Sequence, residues 1–136
     1  IYALNHLSEE QEFFIIFFDH TAWPMYATAG SSAFGFSKKI QLVVGSNKNR
    51  QDAIQWINAM QGNGGTEPSG AMLMALAARP TKIILLSDGE FSPQVIDEVT
   101  KQNNGQTTID CIGLSEDIIT LQQIASKNKG RYFSAK

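Results

Sequence analysis

The sequence predicts an α/β fold of three layers, α/β/α, around a mostly parallel, doubly wound, Rossmann-like sheet with one antiparallel edge strand. Three apolar runs of strand length predict the sheet, at residues 13–18, 82–87 and 107–112. After residue 80, strand and helix patterns alternate at the spacing that is typical of right-handed crossover units. This alternation favours a parallel sheet that is covered by helices.

The first part of the chain predicts a helix end followed by two paired strands. Residues 1–10 have the pattern of the last turns of a helix. The aromatic and β-branched run at 13–18 predicts a strand buried on both faces. Residues 23–28 predict a partner strand, which Pro24 confines to an edge or to its first position. The small residues of 29–36 predict a surface loop.

Regular elements fill the rest of the chain. An amphipathic helix is predicted at 49–60, and a glycine-rich loop at 61–68 leads into a second helix, with Thr66 as its N-cap and Pro68 in its first turn. The later elements are a buried strand, a helix, a strand, a helix and a short last strand, at 82–87, 93–102, 107–112, 118–127 and 131–134.

The composition is that of one globular domain. The chain has 136 residues, of which 43% are hydrophobic and 18% charged, with a net charge of −2. That charge gives no electrostatic reason to expect nucleic acid or an anionic membrane as partner. No apolar stretch reaches the roughly 18 residues of a membrane span. The single cysteine, Cys111, lies in an apolar run and is predicted to be a buried strand residue.

Hard oxygen donors are predicted at the carboxyl edge of the sheet. Asp19 and Asp88 directly follow apolar strands, and ligands of open α/β sheets bind beyond the carboxyl ends of the strands. The Thr66 hydroxyl and the Asp88 carboxylate are donors that Mg²⁺ prefers. Each also has an ordinary structural interpretation, as a helix N-cap and as a turn. A phosphate-binding loop is disfavoured, because the glycine-rich loop follows a helix and no P-loop lysine follows it.

The order of these motifs resembles the von Willebrand factor type A (vWA) family over nearly the whole chain. The resemblance begins with a helix, the Gly64-Gly65-Thr66 loop, a second helix, an apolar strand and Ser87-Asp88-Gly89-Glu90. It continues through the strand Thr107–Gly113 and the helix Ile118–Lys127 to Gly130-Arg131-Tyr132-Phe133. The order and spacing are much more specific than any single motif.

The resemblance implies a metal-ion-dependent adhesion site for Mg²⁺ or another divalent cation, such as Mn²⁺ or Ca²⁺. Thr66 matches the threonine of the family's second metal loop, and Asp88 matches the aspartate of the third. Ser87 stands where the family often has threonine, and Asp19 and Glu90 are accessory candidates. The open position of the metal then takes a carboxylate from a partner protein.

The sequence departs from the family at the first metal loop, because it contains no Asp-x-Ser-x-Ser. The stretch from Asp19 to Trp23 is not accepted as a degenerate copy, since the chain continues extended after it. Residues 13–28 resemble the family's second and third strands, and residues 1–10 the end of its first helix. We interpret residues 1–136 as a single domain that is truncated at its N-terminus and lacks the first strand and most of the first helix. The start at Ile1 rather than Met favours a polypeptide that continues upstream.

Together these features predict a protein-binding module and not an enzyme. The predicted partner is a protein that presents a carboxylate, with no nucleic acid and no direct membrane span in this segment. One alternative is a scaffold or assembly domain with a degenerate, metal-free site. Another is a metal-dependent hydrolase, which needs a general base that neither His6 nor His20 convincingly supplies. Bacterial members of the family often sit beside membrane anchors or other domains, so the resemblance allows a membrane-associated or extracytoplasmic location within a longer protein, and the sequence itself leaves the compartment unknown.

Overall fold

The computed structural model of the chain describes residues 2–25, 40–60, 66–89 and 91–135. Over these residues the elements in chain order are α1 Tyr2–Asn5, β1 Glu12–Phe13, β2 Ile16–Phe18, β3 Ala22–Pro24, β4 Val43–Val44, α2 Asn47–Ala59, α3 Ser69–Ala77, β5 Lys82–Ser87, α4 Gln94–Asn103, β6 Thr108–Gly113, α5 Ile119–Lys127 and β7 Tyr132–Ser134.

The strands after residue 80 form a parallel sheet in the order β5-β6-β7. Helices α4 and α5 connect these strands, as the alternating pattern predicted. The residues before 80 contribute two antiparallel pairs, β2 with β3 and β1 with β4. The predicted α/β class with a parallel sheet is therefore confirmed, and the predicted single antiparallel edge strand is replaced by these two antiparallel pairs over the described residues.

The main core lies between one face of the parallel sheet and helices α3, α4 and α5. Ile83, Leu85, Ile109 and Cys111 face these helices and are buried. The helices contribute Met72, Leu76, Val95, Ile96, Val99, Leu121, Ile124 and Ala125 to the same cluster. Cys111 has no exposed surface, which confirms its predicted burial.

A second, smaller core joins α1 and α2 to the first strands. It is built from Leu4, Phe13, Met25 and Ala53, all buried. Trp56 of α2 is half-buried and packs against this core. Its ring lies 5.2 Å from that of Phe17, centroid to centroid.

The other face of β5 is not covered by the described residues. Ile84 is 55% exposed and Leu86 is 51% exposed, while their neighbours Ile83 and Leu85 are buried. The prediction of a buried strand at 82–87 is therefore wrong for one of its two faces. The reason is that α3, α4 and α5 all pack against the same side of the sheet.

Two local predictions also differ from the structure, and two predicted loops are not tested by it. The apolar run at 13–18 is divided between β1 and β2, and Ile15 accepts a hydrogen bond from the amide of Met25 through its carbonyl, at 2.8 Å. Helix α3 has Pro68 at its N-cap, so Thr66 is not the cap. The loops predicted at 29–36 and at 61–65 lie outside the described residues.

Buried amide side chains hold the ends of α4 and α5 to the sheet. The side chain of Asn103 donates to the carbonyl of Thr107 at 2.7 Å and to Oδ1 of Asn128 at 2.9 Å. Its own oxygen accepts from the amide of Thr107 at 2.8 Å. Asn128 in turn donates to the carbonyl of Ile124 at 2.8 Å. Since both side-chain amides are almost fully buried, these hydrogen bonds replace the ones that the amides would make to water in the unfolded chain.

We predict that Asn103→Ala lowers the free energy of unfolding by about 2–3 kcal/mol, because it leaves buried donors and acceptors without partners. Equilibrium urea unfolding measures this difference. The exposed neighbour Gln102 on the same helix is the matched control, and Gln102→Ala is expected to change stability by less than about 0.5 kcal/mol. Equal effects of the two variants would contradict the structural role given to Asn103.

Gly130 is predicted to tolerate no side chain. A Cβ built there would overlap the carbonyl oxygen of Ile109 on β6, and a backbone atom cannot move aside as a flexible side chain does. Gly130→Ala is therefore expected to cost about 2–3 kcal/mol of stability, measured by thermal or urea unfolding.

Gly70 is the control glycine for that experiment. It lies in α3, where, among the described residues, an added Cβ would meet the Cβ of Ala22 at 4.0 Å and no closer atom. Because alanine is the better helix former, Gly70→Ala is expected to stabilise the protein by about 0.5–1 kcal/mol. A loss of stability in Gly70→Ala equal to that in Gly130→Ala would refute the steric explanation.

Candidate functional site

The candidate site lies at the carboxyl edge of the parallel sheet. Ser87, Gly113 and Ser134 stand in register at the ends of β5, β6 and β7. Asp88 follows β5 directly and is exposed. The exposed Asp88 carboxylate thus lies at the carboxyl edge of the sheet, where the sequence predicted it.

Ser87 stabilises the turn that carries Asp88. Its side chain is 5% exposed. The hydroxyl accepts a hydrogen bond from the amide of Gly89 at 3.2 Å and lies 3.4 Å from the carbonyl oxygen of the same residue. These contacts close a short turn around Asp88. The Ser87 hydroxyl therefore fixes the backbone of the turn that carries Asp88.

Thr66 lies directly against that turn. A Cβ built on Gly89 would be only 3.0 Å from Oγ1 of Thr66 and 3.6 Å from its Cβ. A glycine at position 89 lets the threonine hydroxyl approach the backbone next to Asp88. The structure therefore places Thr66 next to the turn that carries Asp88, and the role of both residues in metal binding stays a prediction.

The Thr66 loop is also fixed from its other side. The amide of Glu67 donates to the carbonyl oxygen of Asp19 at 2.7 Å. Asp19 follows β2, so the first antiparallel strand pair reaches the same edge as β5. From Pro68 the chain enters α3, whose Met72 and Leu76 are packed in the main core.

Asp19 is nearly buried, with 6% of its surface exposed. Its Oδ1 accepts hydrogen bonds from the amide of Thr21 at 3.0 Å and from Nε1 of Trp23 at 3.2 Å. Nδ1 of His20 lies 3.5 Å from the same oxygen, and the His20 side chain is 65% exposed, as expected for a surface turn residue.

Sequence reasoning missed these contacts of Asp19. An aspartate two residues before a threonine is a signal for an Asx turn, which the run Asp19-His20-Thr21 carries. The contact with Trp23 has no local signal, because it depends on how β2 and β3 pair.

The donors at this edge fit the chemistry of Mg²⁺ in part. Mg²⁺ in proteins is usually held by one or two carboxylates together with several waters. Asp88 supplies such a carboxylate and Thr66 a neutral hydroxyl oxygen. Over residues 2–25, 40–60, 66–89 and 91–135, the structure holds no cluster of three His, Cys, Asp or Glu side chains arranged to bind a metal. Glu90, the second accessory candidate, lies outside the described residues.

Cys111 is not part of this site. It lies on the inner face of β6, and burial away from water raises the pKa of its thiol from the ordinary value of 9.0 to about 12. The negative charge of Asp110 is the second cause of the same rise. The thiolate is the reactive form of cysteine, so a thiol with a raised pKa is not activated as a nucleophile. Cys111 is a core residue.

Comparison with known proteins gives one family and one fold. The model of the von Willebrand factor type A domain family matches residues 2–133. A solved structure of a von Willebrand factor type A protein from Catenulispora acidiphila superposes with a TM-score of 0.79 at 23% sequence identity. That match covers 98% of this chain and 32% of the other, so this chain spans about a third of the length of that relative. A search of curated proteins found no match.

The helices of the described residues do not have the dimensions of a membrane span. None of them combines the length and the apolar character that a bilayer crossing requires.

We predict that Cys111 does not react with Ellman's reagent at pH 8 in the folded protein and reacts fully once the protein is unfolded in urea. The raised pKa adds a second expectation. Burial of the neutral thiol contributes stability that is present below pH 9 and is lost as the pH rises toward 12. Fast labelling of the folded protein at pH 8 would show that the thiol is accessible.

Proposed function

This chain belongs to the von Willebrand factor type A family, and on that premise we propose that it is a protein-binding module whose rim uses a divalent cation to engage a carboxylate of a partner protein. Domains of this family commonly mediate protein–protein interactions. The cation in the proposal is Mg²⁺ or a related divalent ion.

One observation carries the proposal: the Thr66 hydroxyl lies against Gly89, beside the exposed Asp88, at the carboxyl edge of the sheet. Thr66 and Asp88 are on separate loops, and Thr66 lies beside the turn that carries Asp88. A hydroxyl and a carboxylate on fixed turns are hard donors that would hold one side of a cation. Asp88 is exposed, so the other side faces a partner.

The charge of Asp88 explains why a cation would be needed. An acidic group of a partner and the Asp88 carboxylate repel each other in the absence of a positive charge between them. Bound there, a divalent cation supplies that charge and an open coordination position. Thr66 adds an oxygen without adding to the negative charge. Binding of an acidic partner at this rim should therefore depend on the cation.

The alternative is a scaffold or assembly domain that binds its partner without metal. One observation favours it: the described residues hold no cluster of three His, Cys, Asp or Glu side chains that could bind a metal. Direct measurement of cation binding separates the two functions.

We further propose that the module binds and does not catalyse. Metal-assisted hydrolysis needs a general base placed to activate water. The Cys111 thiol is buried in the core, and the ring of His20 approaches the carboxylate of Asp19. Neither arrangement is that of an activated nucleophile or base beside Thr66 and Asp88.

The test is titration of the purified protein with Mn²⁺, followed by calorimetry or electron paramagnetic resonance. We expect one site, and we expect Asp88→Ala to weaken it by at least about 10-fold, since the carboxylate is the only charged ligand proposed among the described residues. A sensor surface coated with polyglutamate is then expected to bind the wild type in Mn²⁺ and to release it in EDTA.

The control is Asp52→Ala, which removes another carboxylate from α2. Asp52 pairs with Lys48 at 2.7 Å on the helix surface, and such a pair contributes little to stability. Its Mn²⁺ affinity should equal that of the wild type. If the wild type binds no Mn²⁺, the scaffold function replaces the cation-dependent one.

A further inference from the structure

The turn between β2 and β3 adjoins the candidate site but holds neither of its two principal ligands. We propose that this turn is a positioning element: Asp19 holds Thr66 in place through its backbone carbonyl, and its carboxylate is a structural acceptor and not a cation ligand. The inference rests on the proposed function, and it reassigns a residue that the sequence marked as an accessory ligand.

The carboxylate of Asp19 is used within its own turn. Oδ1 accepts from the amide of Thr21 at 3.0 Å and from the indole of Trp23 at 3.2 Å. The backbone closes the same turn, because the amide of Asp19 donates to the carbonyl of Thr21 at 3.0 Å. Asp19 is 6% exposed, and its carboxylate accepts both of these hydrogen bonds. The turn therefore sets the position of the carboxylate.

A backbone hydrogen bond connects the turn to the loop of Thr66. The carbonyl oxygen of Asp19 accepts from the amide of Glu67 at 2.7 Å. Glu67 directly follows Thr66, so this bond fixes the peptide group that joins the two residues. On the opposite side, the Thr66 hydroxyl lies against the backbone of Gly89. Thr66 is thus held between two rigid turns, and loosening one of them frees the hydroxyl.

Loss of this order should weaken cation binding without removing any ligand. A cation that meets a disordered donor must first order it, which lowers affinity. A role in positioning and a role as ligand therefore predict opposite results for two conservative substitutions, Asp19→Asn and Trp23→Phe.

Asp19→Asn keeps an oxygen that accepts from Thr21 and Trp23 but removes the negative charge. If Asp19 positions Thr66, this variant binds Mn²⁺ within about 3-fold of the wild type, whereas Asp19→Ala and Trp23→Phe each weaken binding by about 5–10-fold. If Asp19 is a ligand, Asp19→Asn is as weak as Asp19→Ala, and Trp23→Phe binds like the wild type. That second pattern overturns the proposal.

A measurement without metal tests the same turn. Hydrogen–deuterium exchange of a peptide that contains the Glu67 amide is expected to be at least about 5-fold faster in Asp19→Ala and Trp23→Phe than in the wild type, and unchanged in Asp19→Asn. Trp56→Phe is the control, because Trp56 packs on Phe17 in the smaller core. It should alter neither exchange nor Mn²⁺ affinity.

The two measurements separate the failure of each proposal. A wild type that binds no Mn²⁺ removes the cation-dependent function, and the exchange experiment still decides whether the turn holds Thr66. Unchanged exchange in both Asp19→Ala and Trp23→Phe overturns the positioning role, whether or not the metal binds.

Discussion

The parallel register of β5, β6 and β7 is the constraint on which the rest of the structure depends. It places Ser87, Gly113 and Ser134 at one level, so the chain leaves each strand at the same edge. Hydrogen bonding continues past the strand ends: the amide of Leu114 donates to the carbonyl of Ser87 at 3.0 Å, and that of Ala135 to Gly113 at 2.8 Å. The sheet therefore holds in place the residue from which the Asp88 turn begins.

The fold class and the convergence at this edge could be predicted from the sequence because both depend on local rules. Alternating strand and helix patterns imply parallel strands, and parallel strands bring the loops after them to one edge. The position of Asp88 at the end of a strand follows from the apolar run directly before it, so it can be predicted from neighbouring residues alone. Thr66 was marked as a hard donor by its loop and by the resemblance to the family, and its hydroxyl lies beside Gly89, the residue after Asp88.

The remaining features depend on long-range packing, which a local pattern does not contain. Ile84 and Leu86 are as apolar as Ile83 and Leu85, so the sequence of β5 does not reveal which face the helices cover. The N-cap of α3 depends on where the helix begins, and Pro68 rather than Thr66 occupies that position. The burial of Asp19 likewise requires the indole of a residue on the neighbouring strand.

These long-range contacts hold the residues of the candidate site in defined positions. Thr66 is connected through Pro68 to α3, which is anchored in the main core by Met72 and Leu76. Phe18, the residue before Asp19, packs against the same core, so the helix and the turn that flank Thr66 share one support. Both supports belong to the folded core, so packing away from the edge holds the Thr66 loop in position. The core on one face of the sheet therefore sets the geometry of the loops at this edge.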